Sequence, residues 1–159
     1  MIKRILVPVD FSDTSLQALE YAIEFGKPLK AEIVVVFVVE PVYFTAPTEL
    51  YAPAANVGML LDEQRRIGRE QLTRLAAGLQ KRRINARTVL QTGTAYQVIT
   101  DTAKRLKVDL IVMATHGRTG LSHVLLGSVA ERVVRTAQCP VLTVRGGKRS
   151  RPKRKKPAK

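Results

Sequence analysis

Residues 31–40 read Ala-Glu-Ile-Val-Val-Val-Phe-Val-Val-Glu, and Ile33–Val39 follow one another without a polar break. A strand with one wet face alternates apolar and polar residues. A continuous β-branched run is dry on both faces. That pattern belongs to a central strand of a parallel sheet, whose neighbours are joined by crossovers that are normally helices. The run is the longest uninterrupted apolar stretch in the chain, and it falls far short of the roughly 20 residues a membrane-crossing helix needs.

The other segments supply the partners of this strand. Ile2–Asp10 reads as a strand closed by an acid. Ser12 then precedes Leu16, Leu19, Ala22 and Ile23 at helical spacing, and its hydroxyl suits an N-cap. Gly26 and Pro28 are expected to end that helix. Residues 41–58 carry Pro41, Pro47, Pro53 and Gly58 and read as a long loop, functional or mobile. Met59–Arg83 is helical, with Leu61, Ile67, Leu72, Leu75 and Leu79 facing one way. Ile84–Thr92 is a strand, and Ala95–Lys107 a helix with Val98, Ile99, Thr102 and Leu106 inward. Asp109–Ala114 is a buried strand, and residues 115–127 form a glycine-bearing loop. Ser128–Ala137 is a helix with Val129, Val133 and Val134 inward, and Pro140–Arg145 is a last strand. The alternation runs through once, without a repeat. It predicts one three-layer α/β domain built on an open, mostly parallel sheet of five strands.

Composition narrows the chemistry. At 159 residues the chain is long enough for one self-sufficient core. Its lone cysteine, Cys139, allows no intrachain disulfide, which fits a reducing compartment, and the N-terminus lacks the apolar region of a signal peptide. The expected location is the cytoplasm. Two histidines and one cysteine are too few for a closed zinc site without carboxylate help, so no protein-only metal site is expected. The net charge is +14, but eight of the basic residues lie in 146–159, a stretch with no acid, which leaves +6 on residues 1–145. The body is mildly basic. The tail is expected to be disordered, with two readings side by side: a solubilising end, or nonspecific contact with a polyanion.

Ligands of open α/β sheets bind beyond the carboxyl ends of the strands. The first strand ends in Pro8-Val9-Asp10-Phe11-Ser12. The fourth ends in Ala114-Thr115-His116-Gly117-Arg118-Thr119-Gly120, and the fourth helix opens at Gly127-Ser128. A glycine-bearing loop that runs into a helix N-terminus offers free amides and the positive end of the helix dipole, so phosphate is the natural guest. Arg118 adds a charged donor and Ser128 a hydroxyl. Neither GxxxxGK[ST] nor GxGxxG is present, and spacing alone stops at an anion site.

The residues themselves go further. Met113–Ser122, Leu125–Val133, Cys139–Val144 and the opening Ile5–Ser12 together resemble the universal stress protein family, over about residues 1–145. The resemblance implies a Rossmann-like, adenine nucleotide alpha hydrolase-like fold with strand order 3-2-1-4-5. It also implies homodimers paired through the last strand, Val141–Val144. In the ATP-binding branch of that family the motif is glycine, two residues, glycine, nine residues, glycine, then Ser or Thr. Gly117 and Gly127-Ser128 match it, and Ala114 stands at the first position. The implied ligand is ATP or another adenine nucleotide, with Mg²⁺ as an optional companion. The resemblance puts Asp10 and Val38 near ribose and adenine with Pro8 and Val9 beside them, Met113 along the base, Ala114 where the backbone approaches the nucleotide, and Gly117, Arg118, Gly127, Ser128 and Val129 around the phosphates.

Several functions stay open at this point. One is a stress-responsive regulatory module that changes state or partner when nucleotide binds. Another is a slow ATPase, for which no residue is found to orient water. A third is a nucleotide-free dimeric scaffold, favoured by Ala114. Bland readings stand beside the sharp ones: Asp10 as a strand end that receives local hydrogen bonds, Ser128 as an N-cap or first-turn residue, Met113 as core, His116 and His123 as loop and helix-edge residues, Gly120 as a plain turn, and Cys139 as a buried or half-buried bystander.

Overall fold

This computed structural model describes residues 1–41, 54–115 and 126–146, with the backbone alone for 54–57. The elements are β1 (Arg4–Pro8), α1 (Asp13–Leu29), β2 (Glu32–Val39), α2 (Ala54–Lys81), β3 (Ala86–Thr92), α3 (Ala95–Arg105), β4 (Leu110–Ala114), α4 (Ser128–Thr136) and β5 (Val141–Val144). The five strands form one sheet in the order β3-β2-β1-β4-β5, and every pair is parallel.

Alternation along the strands divides the core in two. Ile5, Val7, Ile33, Val35 and Val112 point to the face covered by Leu19 of α1 and by Leu72 and Leu79 of α2. Leu6, Val34, Val36, Ile111 and Met113 point to the opposite face, against Ile99 of α3 and Val133 of α4. The unbroken Val/Ile run of β2 is thus consumed by two cores at once, as its lack of alternation requires.

Helix boundaries follow local chemistry. Ser12 caps α1 by accepting the Ser15 amide at 3.2 Å. Gly26 and Pro28 do not end α1, which runs through both to Leu29. The helix stops where Lys30 turns left-handed (φ 53°) and the Ala31 amide bonds back to the Gly26 carbonyl at 3.0 Å. Gly26 serves packing instead: a Cβ there would stand 2.8 Å from the Ile33 side chain. α2 starts at Ala54, ahead of the expected Met59, and Pro53 directly precedes it. The rest of the expected 41–58 loop, residues 42–53, lies outside the described residues. Two expected inward residues face water. Ile67 is 43% exposed because the α2 stripe runs one position over, through the buried Gly68 and Leu72, and Val134 is 47% exposed beside the buried Val133 of α4.

Candidate functional site

β1 is followed in sequence by β2 on one side of it, while β4 returns to its other side. The strand order therefore reverses at β1, which opens a crevice at the carboxyl ends. A cavity of about 330 Å³ lies there. Pro8, Val9 and Asp10 bound it from β1, and Val36, Val38 and Glu40 from β2. Met113, Ala114 and Thr115 bound it from β4, Ala95 and Ile99 from α3, and Ser15 from α1. Gly127, Ser128, Val129 and Ala130 close it from the first turn of α4.

The β1–α1 turn is organised by Asp10. Its Oδ1 accepts the Ser12 amide at 3.0 Å and the Ser12 hydroxyl at 2.5 Å. The buried Ser15 hydroxyl donates to the Ser12 carbonyl at 2.9 Å and accepts the Asp10 amide at 3.3 Å. Phe11 takes a left-handed φ of 63°, and its ring lies 5.1 Å from that of Phe37, centroid to centroid. Asp10 thus receives local hydrogen bonds, as its bland reading holds, and bounds the cavity as well.

On the opposite wall, the Thr115 amide donates to the Val144 carbonyl at 2.9 Å, and the Gly127 amide donates to the Thr115 carbonyl at 2.7 Å. These bonds anchor the start of α4 to the end of β4. Gly127 is the cap residue, in extended conformation (φ −68°, ψ 156°), and Ser128 is the first residue of the helix. The α-helical ladder opens with the Glu131 amide donating to the Gly127 carbonyl, so the amides of Ser128, Val129 and Ala130 have no acceptor within the helix. This first turn and the positive dipole end bound a cavity that also has an apolar wall, where Val36, Ile99 and Met113 are almost wholly buried.

Nine of the eleven residues expected from sequence bound this cavity: Pro8, Val9, Asp10, Val38, Met113, Ala114, Gly127, Ser128 and Val129. Gly117 and Arg118 lie outside the described residues, as do Gly120, His116 and His123. Sequence reasoning passed over Ser15, Val36, Glu40, Ala95, Ile99, Thr115 and Ala130. Two of these carry a readable signal. Val36 shares a face with Val38 by strand alternation, and Glu40 is the residue just past the carboxyl end of β2. Among the described residues that bound the cavity, Asp10 and Glu40 carry the formal charges. Cys139 is half-buried away from the cavity, and burial pushes its thiol up from the usual range, which disfavours the reactive thiolate. Among the described residues, no three His, Cys, Asp or Glu side chains gather as a metal site. No described helix is long and apolar enough to cross a membrane.

A second hollow of about 540 Å³ lies between α1 and α2. Across it Arg82 donates to both Glu20 carboxylate oxygens, at 2.6 and 2.7 Å.

Comparison with known proteins places this geometry in context. The family model described as "Universal stress protein family" matches residues 1–145. A universal stress protein of Methanocaldococcus jannaschii is 37% identical over 150 residues, which cover 94% of this chain and 85% of that protein. A universal stress protein from Lactobacillus plantarum superposes with a TM-score of 0.78 at 25% identity, over 91% of this chain and 98% of that one. A universal stress protein family protein of Arabidopsis thaliana, solved with AMP bound, shares the fold with a TM-score of 0.63 at 20% identity, over 96% and 97% of the two chains.

Proposed function

Because the chain belongs to the universal stress protein family, we propose that its cavity binds ATP or a related adenine nucleotide and that occupancy regulates a stress-response partner. The observation that carries this reading is convergence. Residues 105 positions apart in sequence, Pro8 and Met113, meet around one hollow that ends in the first turn of α4, whose amides have no acceptor within the helix. The hollow is of ligand size, mostly apolar, and has its donors gathered at one end, which suits a base joined to phosphates. The Arabidopsis protein, solved with AMP, gives the same class of ligand on the same fold. Base and ribose lie along Val9, Asp10, Val38 and Met113, and phosphate lies on Gly127, Ser128 and Val129. Mg²⁺ would be held chiefly by the phosphates.

The test is a thermal melt with ATP, ADP and AMP, beside mass spectrometry of any ligand released from freshly purified protein. Ligand at about 100 times Kd contributes about 2.7 kcal/mol, or roughly 5–10 °C in a chain of this size. No shift with any of the three and no adenine compound released would remove the reading. The nucleotide-free scaffold has one observation in its favour, the Ala114 methyl on the cavity wall. It is the outcome left standing by that negative result.

The proposed module is a cytoplasmic homodimer joined at β5, which pairs with β4 on one side. Pro140 and Val144 carbonyls accept from β4 and its continuation, so the intervening odd-numbered residues aim their backbone groups at the open edge. Thr143→Pro removes one outward donor while sparing the β4 ladder. Sedimentation should report a monomer for this variant against a dimer for the parent chain.

A further inference from the structure

Two helices open on the cavity, and backbone alone makes them equivalent. α4 presents Ser128 to Ala130, and α3 presents Ala95. Each N-terminus carries about half a positive charge and amides with no acceptor inside the helix. A phosphate entering the cavity would find a welcome at either end.

Side chains break the equivalence. Gly93 has a φ of 145°, a value only glycine adopts freely, and its amide donates to the Val39 carbonyl at 3.0 Å. This turn brings the start of α3 beside the end of β2. Thr94 stands at the cap position of α3 but makes no side-chain cap hydrogen bond. The Glu40 carboxylate fills that role from another element, accepting the Ala95 amide at 2.6 Å. At α4 the cap is Gly127, which has no side chain, and the first-turn acid Glu131 is drawn away to Arg135 at 2.7 Å. Among the described residues, one N-terminus is therefore already answered by a full negative charge, and the other is not.

We propose that Glu40 sets the direction in which the ligand lies. Its carboxylate occupies the α3 terminus as a phosphate would and repels a second anion from it. Phosphate is left with α4, and the base with the apolar wall of Val36, Val38 and Ile99. The identity of the ligand rests on the nucleotide reading above. The charge asymmetry does not, and inorganic phosphate alone can probe it.

The experiment follows backbone amide resonances of the full chain during titration with inorganic phosphate and, separately, with ATP. In the parent protein, phosphate should move Ser128, Val129 and Ala130 and leave Ala95, Tyr96 and Gln97 still. In Glu40→Ala, the α3 amides should titrate with an affinity at least about fivefold above the parent's at the same positions. Glu40→Gln keeps an acceptor for Ala95 without the charge, and should show the α3 response as well. Glu63→Ala, a charge deletion on exposed α2, should leave α3 still and so exclude a net-charge effect. Silence of the α3 amides in both Glu40 variants overturns the proposal, and so does an equal α3 response in the parent. Failure of the nucleotide reading shows elsewhere, as α4 amides that ATP does not move.

Discussion

The Asp10 carboxylate holds the β1–α1 turn through Ser12, and the same residue stands at the cavity wall. A short side chain that satisfies its own backbone costs little to keep rigid, so the wall it forms is preorganised. Ala114 is the residue where this chain parts from the ATP-binding pattern, and its methyl group adds bulk to the wall. Ala114→Gly should raise ATP affinity severalfold in calorimetric titration. It should also cost about 0.5–1 kcal/mol of stability, the usual cost of glycine inside a strand. Pro8, Asp10 and Gly127 were legible because they sit at strand ends and helix starts, positions that sequence order alone defines. Ser15 and Ile99 were not, because their part in the cavity follows from which helix face packs on which strand.

At the scale of elements, α2 shows how tertiary contact overrides a periodic pattern. Leu61, Leu72, Leu75 and Leu79 mark its inner stripe, and the position that spacing gave to Ile67 belongs to Gly68. A Cβ on Gly68 would stand 2.5 Å from the Phe37 ring, so the helix packs tightly on the sheet there. Helix propensity alone says that Gly68→Ala should stabilise by about 1 kcal/mol. The ring contact should reverse the sign, giving a net loss of about 1–3 kcal/mol in denaturant unfolding. No pattern in the sequence announces this, since glycine inside a helix reads as a weakness until the ring above it is known. The lower ends of β1 and β4 are latched by Asp109, whose Oδ2 accepts the Lys3 and Arg4 amides at 2.7 and 2.9 Å. Those two bonds, with the nearby N-terminal and Arg4 charges, hold the Asp109 carboxyl below its usual range. A depressed folded pKa contributes stability above the unfolded value of about 4 and loses it as pH falls through the folded value. Asp109→Asn should therefore melt below the parent at neutral pH, and the gap should close under acid, below about pH 4. The gap is modest, because the latch is exposed to solvent.

For the whole molecule, strand and helix order were legible from one buried run and its flanking periodicities, because both faces of a parallel sheet must be covered. The strand order 3-2-1-4-5 came with the family resemblance, and the sheet bears it out. Charge divides the chain differently. Eight of its basic residues belong to positions 148–159, outside the described residues, while the described cavity rim carries the acids Asp10 and Glu40. Among the described residues, anion attraction at the cavity thus falls to backbone amides and the dipole of α4, a short-range source that positive charge in the distant tail does not replace. Isothermal titration of ATP into the full chain, with Gly127→Leu run in parallel, tests this reliance on the α4 terminus. The extended backbone of Gly127 admits any side chain without strain, so the variant should keep its fold while leucine covers the α4 amides. The parent should bind one ATP per chain, and Gly127→Leu should lose at least about tenfold in affinity. No saturable heat in the parent, or equal affinity in the two proteins, would rule out phosphate binding at the α4 terminus.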